Sequence, residues 1–249
     1  IMVLVTMLIW LTARYAFNRK LMLIPGMAGL AVTGLYGIST LLFFYSVYAT
    51  STANLVFILA FNPMFAALFG WLMLGERPKP VTFLAMAVMA IGVFIIVEDG
   101  LSGGHFLGDL AALGAAAIMA LAITISRASG KEMGYAALLS GAVPALVAGI
   151  IVCSGNGVVT ESPGWIVLNG SILMPAAFFC LALAPTFISG THVAMFYLLE
   201  TILAPIWVWM IFNEIPSGQT LAGGGILLAA LIAHSIWELN EDRRARTPS

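Results

Sequence analysis

Apolar runs of about twenty residues, separated by short polar segments, are the feature that most constrains the fold of this chain. A run of that length can cross about 30 Å of hydrocarbon as a helix. Only 8% of the 249 residues are charged, whereas soluble domains carry about 25%. Because the few charged residues lie between the runs, the chain is predicted to be a polytopic membrane protein surrounded by the lipid bilayer.

The polar segments divide the chain into nine predicted spans. Lipid offers no hydrogen-bond partners to open backbone groups, and the runs lack the alternation of barrel strands, so every span is predicted to be an α-helix. The spans cover residues 1–13, 22–46, 51–74, 80–97, 108–128, 134–154, 164–186, 189–212 and 217–238. The predicted fold class is all-α.

Alternation of these spans places all ten Lys and Arg residues on one side of the membrane. The loops on the opposite side contain acidic residues and no cation: Glu98, Asp99, Asp109, Glu161 and Glu214. The positive-inside rule assigns the cationic side to the cytoplasm. We therefore expect a multi-pass protein of the plasma membrane, such as a bacterial inner membrane, with a cytoplasmic C-terminus.

Two distant segments end in the same Glu-x-Pro signature, "FNPMFAALFGWLMLGERPKP" at 61–80 and "LETILAPIWVWMIFNEIPSG" at 199–218. In both, a span is followed by the Glu-x-Pro stop and then by another span, which indicates an internal repeat. A shift of 138 positions aligns Ser51 with Ser189, Ala66 with Ala204, Trp71 with Trp209, Glu76 with Glu214, Pro78 with Pro216 and Thr82 with Thr220.

The two copies are five span-steps apart, an odd number, so they must run through the membrane in opposite directions, as an inverted repeat. The second copy contains five spans and the first shows four. Symmetry therefore predicts ten helices in two five-helix halves, with the first helix missing and expected about 30 residues before Ile1. The predicted regions are a first repeat at 1–97, an external linker at 98–107, a second repeat at 108–238 and a cytoplasmic tail at 239–249.

The repeated segments resemble a known family. The stretch "ANLVFILAFNPMFAALFGWLMLGERPKPVTFLAMAVMAIGVFII" resembles the EamA domain of the drug/metabolite transporter superfamily, and "HVAMFYLLETILAPIWVWMIFNEIPSGQTLAGGGILLAALIA" is similar to its second copy. The resemblance implies a ten-helix carrier of amino acids or other small metabolites, often an exporter, with a central cavity. The second copy departs from the first in Asn213-Glu214, which replaces Gly-Glu, and in Thr201, which replaces Pro63.

Glu200 is the one charged residue near the middle of a predicted span, and its repeat mate is Asn62. Eight residues earlier the mates are His192 and Asn54, and Tyr197 lies one helical turn before Glu200. Ionisable groups inside a membrane are costly and usually functional. These residues are therefore candidates for a substrate or proton site in which Glu200 binds a substrate amine or carries a proton. The structural alternative is a neutral Glu200 that is hydrogen-bonded to a neighbouring helix.

The remaining candidate residues are expected to line the cavity or to shape the helices. Tyr36 is the deepest aromatic residue of its span and could line the cavity. Glu76 and Glu214 lie at span ends and are expected to fix helix ends or loops. Pro63 and Pro205 lie inside spans and are expected to kink them, which suits a carrier that must bend.

Two other classes compete with a transporter. The stretch Gly100–Gly103 matches a serine nucleophile motif at Ser102, with His105 nearby, but a Gly-rich outer loop explains it as well. A membrane scaffold or sensor without transport is the second alternative. The inverted repeat and the mid-span carboxylate favour the transporter over both.

Several partners and cofactors are not expected. Cys153 and Cys180 have no CxxC or His-rich context, so neither a metal site nor a disulfide framework is predicted. The chain contains no ATP-binding motif, and no nucleic-acid partner is expected. The near-zero net charge is the sum of two spatially separated groups of charges and says nothing about partners. The interiors of the spans contain no Lys or Arg, since Arg127 lies at the very end of 108–128. This disfavours dianionic substrates and favours amine-bearing, zwitterionic or neutral ones. The Gly-rich helix faces are compatible with a homodimer.

Overall fold

The structure of the protein is a computed structural model that describes residues 12, 26–130, 136, 139–154, 163–173, 176, 199, 203–204, 206–211 and 216–246. Across these residues the regular elements are helices, and no strand is present: α1 (Gly26–Ala49), α2 (Thr52–Leu59), α3 (Asn62–Phe69), α4 (Pro80–Gly103), α5 (Phe106–Ser129), α6 (Ala142–Cys153), α7 (Pro163–Leu168) and α8 (Gly218–Arg246). Five-residue π-helical turns, Gly70–Leu74 and Asn169–Leu173, directly follow α3 and α7.

Five helical segments in the described part of the chain are long and apolar enough to cross a membrane: Gly26–Ala49, Thr52–Leu74, Pro80–Leu101, Phe106–Ser129 and Gly218–Glu241. Large apolar side chains on their surfaces are exposed, for example Leu84 at 66% and Phe94 at 67% on α4. Such surfaces are unfavourable in water and suit contact with lipid. The chain is thus an all-helical, multi-pass membrane protein, as predicted. The predicted spans at 1–13 and 189–212 fall mostly outside the described residues.

The end of α4 differs from the prediction. The helix continues six residues past the predicted end at 97 and stops at Gly104, whose positive φ of 77° provides a left-handed C-cap. The stretch Gly100–Gly103, predicted to be a flexible loop, is therefore the last turn of a helix. Within 98–107, Gly104 and His105 alone lie outside α4 and α5.

The span Thr52–Leu74 contains a break. α2 ends at Leu59, and Ala60 and Phe61 form a turn before α3 begins at Asn62. Pro63 lies in the first turn of α3, where its missing N–H removes no helical hydrogen bond. The kink predicted at Pro63 thus takes the form of a two-residue break between two helices.

The chain divides into two compact units: unit 1 comprises Ile1–Leu41 and Ile125–Ser189, and unit 2 comprises Leu42–Thr124 and Gly190–Ser249. In unit 1, the Thr33 hydroxyl donates to the Ala136 carbonyl at 3.0 Å, and Val32 and Ala136 form a buried apolar contact. Val143 of α6 lies so close to Gly37 that a Cβ there would be 2.4 Å from it. Small residues therefore allow close helix packing in unit 1.

In unit 2, α4 and α8 pack antiparallel along glycines. A Cβ on Gly223 would lie 2.6 Å from the Gly92 carbonyl oxygen and 2.9 Å from Ile96, while Leu227 packs over Gly92. Residues later in α8 thus contact residues earlier in α4, as two antiparallel helices do. The ring of Phe57 from α2 lies against the same face of α8, 2.7 Å from a Cβ built on Gly224. Close backbone contact between these helices requires glycine.

Candidate functional site

Polar side chains from five segments meet at one end of unit 2. α2 and α8 begin there, α4 ends there, α5 begins there, and one residue follows the end of α1. We call the hydrogen-bonded group the polar cluster; its members are Thr50, Asn54, Asp99, Asp109, Ser217 and Thr220. Asn54 and Asp109 are almost completely buried, and Thr220 is 1% exposed.

Two serines at helix starts position the centre of the polar cluster. The Ser51 hydroxyl oxygen accepts from the Asn54 N–H at 3.1 Å, and the Ser217 oxygen accepts from the Thr220 N–H at 3.0 Å. Both are N-cap hydrogen bonds, which begin α2 and α8. The two capped residues then meet, since the Thr220 hydroxyl donates to Asn54 Oδ1 at 2.7 Å.

Asp109 determines which way the Asn54 amide points. The Thr50 hydroxyl donates to Asp109 Oδ1, and Asn54 Nδ2 lies 3.3 and 3.5 Å from the two carboxylate oxygens. An ionised carboxylate can only accept hydrogen bonds. The amide nitrogen of Asn54 must therefore face Asp109, and its oxygen must face Thr220.

Glycines make room for this arrangement. A Cβ on Gly100 would lie 1.9 Å from Asp109 Oδ2, and a Cβ on Gly108 would lie 2.5 Å from the Ala49 backbone. The Gly108 carbonyl also accepts a hydrogen bond of 2.8 Å from Ser46 of α1. The ends of α1, α4 and α5 can pack this closely only because these positions carry no side chain.

An open depression of about 430 Å³ borders the polar cluster and is lined by Ser51, Asn54, Asp99, Gly100, Gly103, His105, Pro216, Ser217 and Thr220. The half-buried Asp99 accepts from the Ser217 hydroxyl through Oδ2, and Thr220 Oγ1 lies 3.3 Å from the same oxygen. Among the described residues, the lining thus combines the Asp99 carboxylate with hydroxyl, amide and imidazole groups.

A second polar contact joins the opposite ends of α4 and α8. His234 Nε2 lies 3.0 Å from Thr82 Oγ1. Lys79 forms an ion pair with Glu241, and its ammonium lies 5.3 Å from the centre of the Trp237 ring. The predicted repeat aligns Thr82 with Thr220. Each threonine lies in the first turn of its helix and contacts a residue towards the far end of the other helix.

The structure locates some of the predicted site residues. Asn62 lies at the start of α3, directly after the break, and its Nδ2 donates to the Ala116 carbonyl of α5 at 2.9 Å. Asn54 lies in the polar cluster. Tyr36 belongs to unit 1, where it packs against the buried contact of Val32 and Ala136. These positions do not test whether any of the three residues binds a substrate.

Of the other predicted residues, Glu76 lies in the described part of the chain and several others do not. Glu76 is exposed just after the π-helical turn, and its N–H donates to the Gly70 carbonyl at 3.3 Å. Predicted residues that lie outside the described part of the chain are Glu200, Tyr197, His192, Glu214 and Pro205. Their roles therefore stay predictions.

Sequence reasoning missed the role of Asp109. The assignment of Asp109 to an outer loop is wrong, because the residue lies in the first turn of α5 with no exposed surface. One signal was available: Asp109 is the second residue of the span predicted at 108–128, so it was already inside a helix. Its partners Thr50 and Asn54 come from two other segments, and no local pattern indicates that they meet.

Comparison with protein families assigns part of the chain. Residues 1–98 match the EamA-like transporter family. The matched segment ends within α4, so it covers the broken span and most of that helix. No solved structure matches the chain significantly.

Relatives among curated proteins extend beyond that segment. The pseudopaline exporter CntI of Pseudomonas aeruginosa (strain UCBPP-PA14) is 26% identical over 92% of this chain and 82% of its own length. Human solute carrier family 35 member G1 is 25% identical over 83% of the chain and 62% of its own length, and a riboflavin transporter of Rhizobium johnstonii is 28% identical over 76% and 62%. Each is named as a transporter, an exporter or a solute carrier rather than an enzyme, which confirms the interpretation of the chain as a transporter and not a hydrolase.

Proposed function

We propose that the chain is a member of the EamA-like transporter family, whose model matches residues 1–98, and that it is a secondary transporter that moves a small metabolite by alternating access. The observation that carries the proposal is the break within the span Thr52–Leu74, between α2 and α3. Secondary carriers commonly build their substrate sites from discontinuous membrane helices. Asn62, a candidate from the sequence, lies at that break.

We also propose the ten-helix inverted repeat, with its halves at 1–97 and 108–238. Under the shift of 138 positions, α4 and α8 are equivalent helices of the two halves. Equivalent helices of an inverted repeat run in opposite directions through the membrane. The antiparallel packing of α4 and α8 along Gly92 and Gly223 supports this arrangement.

The proposed substrate site is centred on Glu200, with Asn62 as a hydrogen-bonding group of the opposite half. The remaining members are Tyr197, His192, Asn54 and Tyr36. A mid-membrane carboxylate suits either a substrate amine or a coupling proton. Asn54 contributes through the polar cluster, where both ends of its amide already have partners.

The proposed substrate is a small amine-bearing or neutral metabolite such as an amino acid, and the proposed direction is export. The names of the pseudopaline exporter and the riboflavin transporter support a small organic solute, and the first supports export. The distribution of Lys and Arg supports a plasma-membrane location with a cytoplasmic C-terminus. A homodimer remains compatible with the glycine-rich helix faces.

Metabolite profiling of cells tests this function. Cells that express the full-length gene, its Glu200→Gln variant or the vector alone are compared for small molecules inside and outside. We expect one compound to accumulate outside only with the unmodified protein. The exposed Glu98, changed to Gln, provides a control that removes a carboxylate outside the proposed site.

If a compound accumulates outside with both the unmodified protein and Glu200→Gln, the proposed transport stands but Glu200 is not essential for it. Equal profiles in all cells would contradict export and favour a scaffold or sensor.

A further inference from the structure

We propose that the depression beside Asp99 is a binding site for a primary ammonium group. The proposal rests on the proposed function, because it names the part of the substrate that this end of unit 2 would recognise. This site is additional to the one proposed around Glu200. The sequence did not predict that its residues lie together.

The hydrogen bonds leave the depression rich in acceptors. A hydroxyl group has one proton to donate. The Thr220 proton is directed to Asn54 Oδ1, at 2.7 Å, and the Ser217 proton is directed to Asp99 Oδ2. The amide protons of Asn54 face Asp109, away from Thr220. The lone pairs of these groups, rather than their protons, are left to face a ligand.

The charge of the depression is also unbalanced. Asp99 is half-buried, and within the described part of the chain no residue donates to its Oδ1 or forms an ion pair with it. Among the described residues that line the depression, none is Lys or Arg. A carboxylate at a partly desolvated position is stabilised by a cation that also donates hydrogen bonds.

A primary ammonium group matches both properties. It carries one positive charge and three N–H donors in a compact head. Asp99, the Thr220 oxygen and the Ser51 oxygen line the same depression and can act as its acceptors. The volume of about 430 Å³ lies within the range of about 300–1,000 Å³ typical of small-molecule sites, so the rest of an amino-acid-sized molecule fits as well.

Thermal unfolding of the purified full-length protein in lipid nanodiscs tests the site. The probe is n-butylammonium chloride, with butan-1-ol as its neutral analogue and sodium butyrate as its anionic one, all at equal ionic strength. We expect the butylammonium ion alone to raise the unfolding temperature, with a saturating dependence on concentration.

Two variants and one control separate the site from the rest of the protein. Asp99→Asn retains an acceptor for Ser217 but removes the charge, so the probe concentration for half-maximal stabilisation should rise at least about tenfold. His105→Lys leaves Asp99 intact but supplies a competing ammonium group, and should have the same effect. Glu98→Gln removes the neighbouring exposed carboxylate and should behave like the unmodified protein.

Equal stabilisation of Asp99→Asn and the unmodified protein would overturn the proposal. Equal effects of butan-1-ol and butylammonium, or no stabilisation of the unmodified protein by the probe, would also overturn it. Because binding is measured without transport, these outcomes are independent of the profiling experiment. A failure of transport alone would reject the proposed function and leave ammonium binding as a property of the protein.

Discussion

Asp109 shows how a single buried residue can fix the positions of several helices. Its carboxylate accepts from Thr50 after α1 and from Asn54 of α2, and it occupies space that a side chain at Gly100 of α4 would fill. A buried carboxylate without donors would be costly, so each of these contacts is needed. The orientation of Asn54, and with it the position of Thr220, is the one required by an ionised Asp109, which can only accept.

Gly100→Ala tests this packing. The new Cβ would lie 1.9 Å from Asp109 Oδ2, so the carboxylate must move away from its donors. We expect a loss of about 1–3 kcal/mol in the free energy of unfolding, measured by reversible SDS unfolding in mixed micelles. Gly225→Ala on α8 is the matched control, because no atom lies within 4 Å of its added Cβ. Equal stability of the two variants would contradict the close contact.

A double-mutant cycle tests the hydrogen bond between Thr50 and Asp109. Asp109→Asn should cost about 1–3 kcal/mol because one of its donors would meet an amide N–H instead of an oxygen. Thr50→Val should cost less, since Asn54 still donates to Asp109. We expect a coupling of about 0.5–3 kcal/mol in SDS unfolding of the single and double variants. Additive effects would mean that the two side chains do not interact.

At the scale of elements, α4 and α8 contact each other along their whole common length. Thr82 and His234 meet at one end, Gly92 and Gly223 in the middle, and Asp99 meets α8 at the other end. We therefore expect α4 and α8 to stay packed together when the proposed carrier opens at either end. Other elements would then move relative to this pair of helices. The break between α2 and α3 is the place where a span can bend without losing helical hydrogen bonds.

Cross-linking tests whether α4 and α8 form a fixed pair. Thr82→Cys and His234→Cys are combined in a background in which Cys153 and Cys180 are Ser. Because the native side chains lie 3.0 Å apart, we expect a short bifunctional thiol reagent to link them, with transport retained. Thr82→Cys combined with Leu221→Cys, which is exposed near the other end of α8, should not be linked. Loss of transport on linking would show that the helices separate during the cycle.

At the scale of the whole molecule, the sequence predicts what depends on hydrophobicity. The membrane location, the helical class and the limits of several spans follow from apolar length, because lipid permits few alternatives. The polar cluster depends on contacts such as the one between Asn54 and Thr220, which lie far apart in the chain, and no single-sequence pattern encodes such contacts. The end of α4 was missed because Gly100, Gly103 and Gly104 look alike in sequence, and only the backbone conformation shows that Gly104 ends the helix.

Labelling of single cysteines tests the proposed sidedness in the same cysteine-free background. His105→Cys lies in the exposed turn between α4 and α5, on the side predicted to be external. We expect a membrane-impermeant maleimide to label it in intact cells, and to label Thr247→Cys in the tail only after permeabilisation. The reverse pattern would contradict the cytoplasmic C-terminus derived from the positive-inside rule.

The most direct measurement of the central claim is efflux from proteoliposomes loaded with a cell metabolite extract and supplied with no ATP. Mass spectrometry then follows the loss of each compound over time, with protein-free liposomes as the reference. A secondary metabolite transporter predicts that at least one small organic compound leaves the proteoliposomes faster than the reference. Identical loss of every compound from both preparations, with folded full-length protein present, would contradict the account.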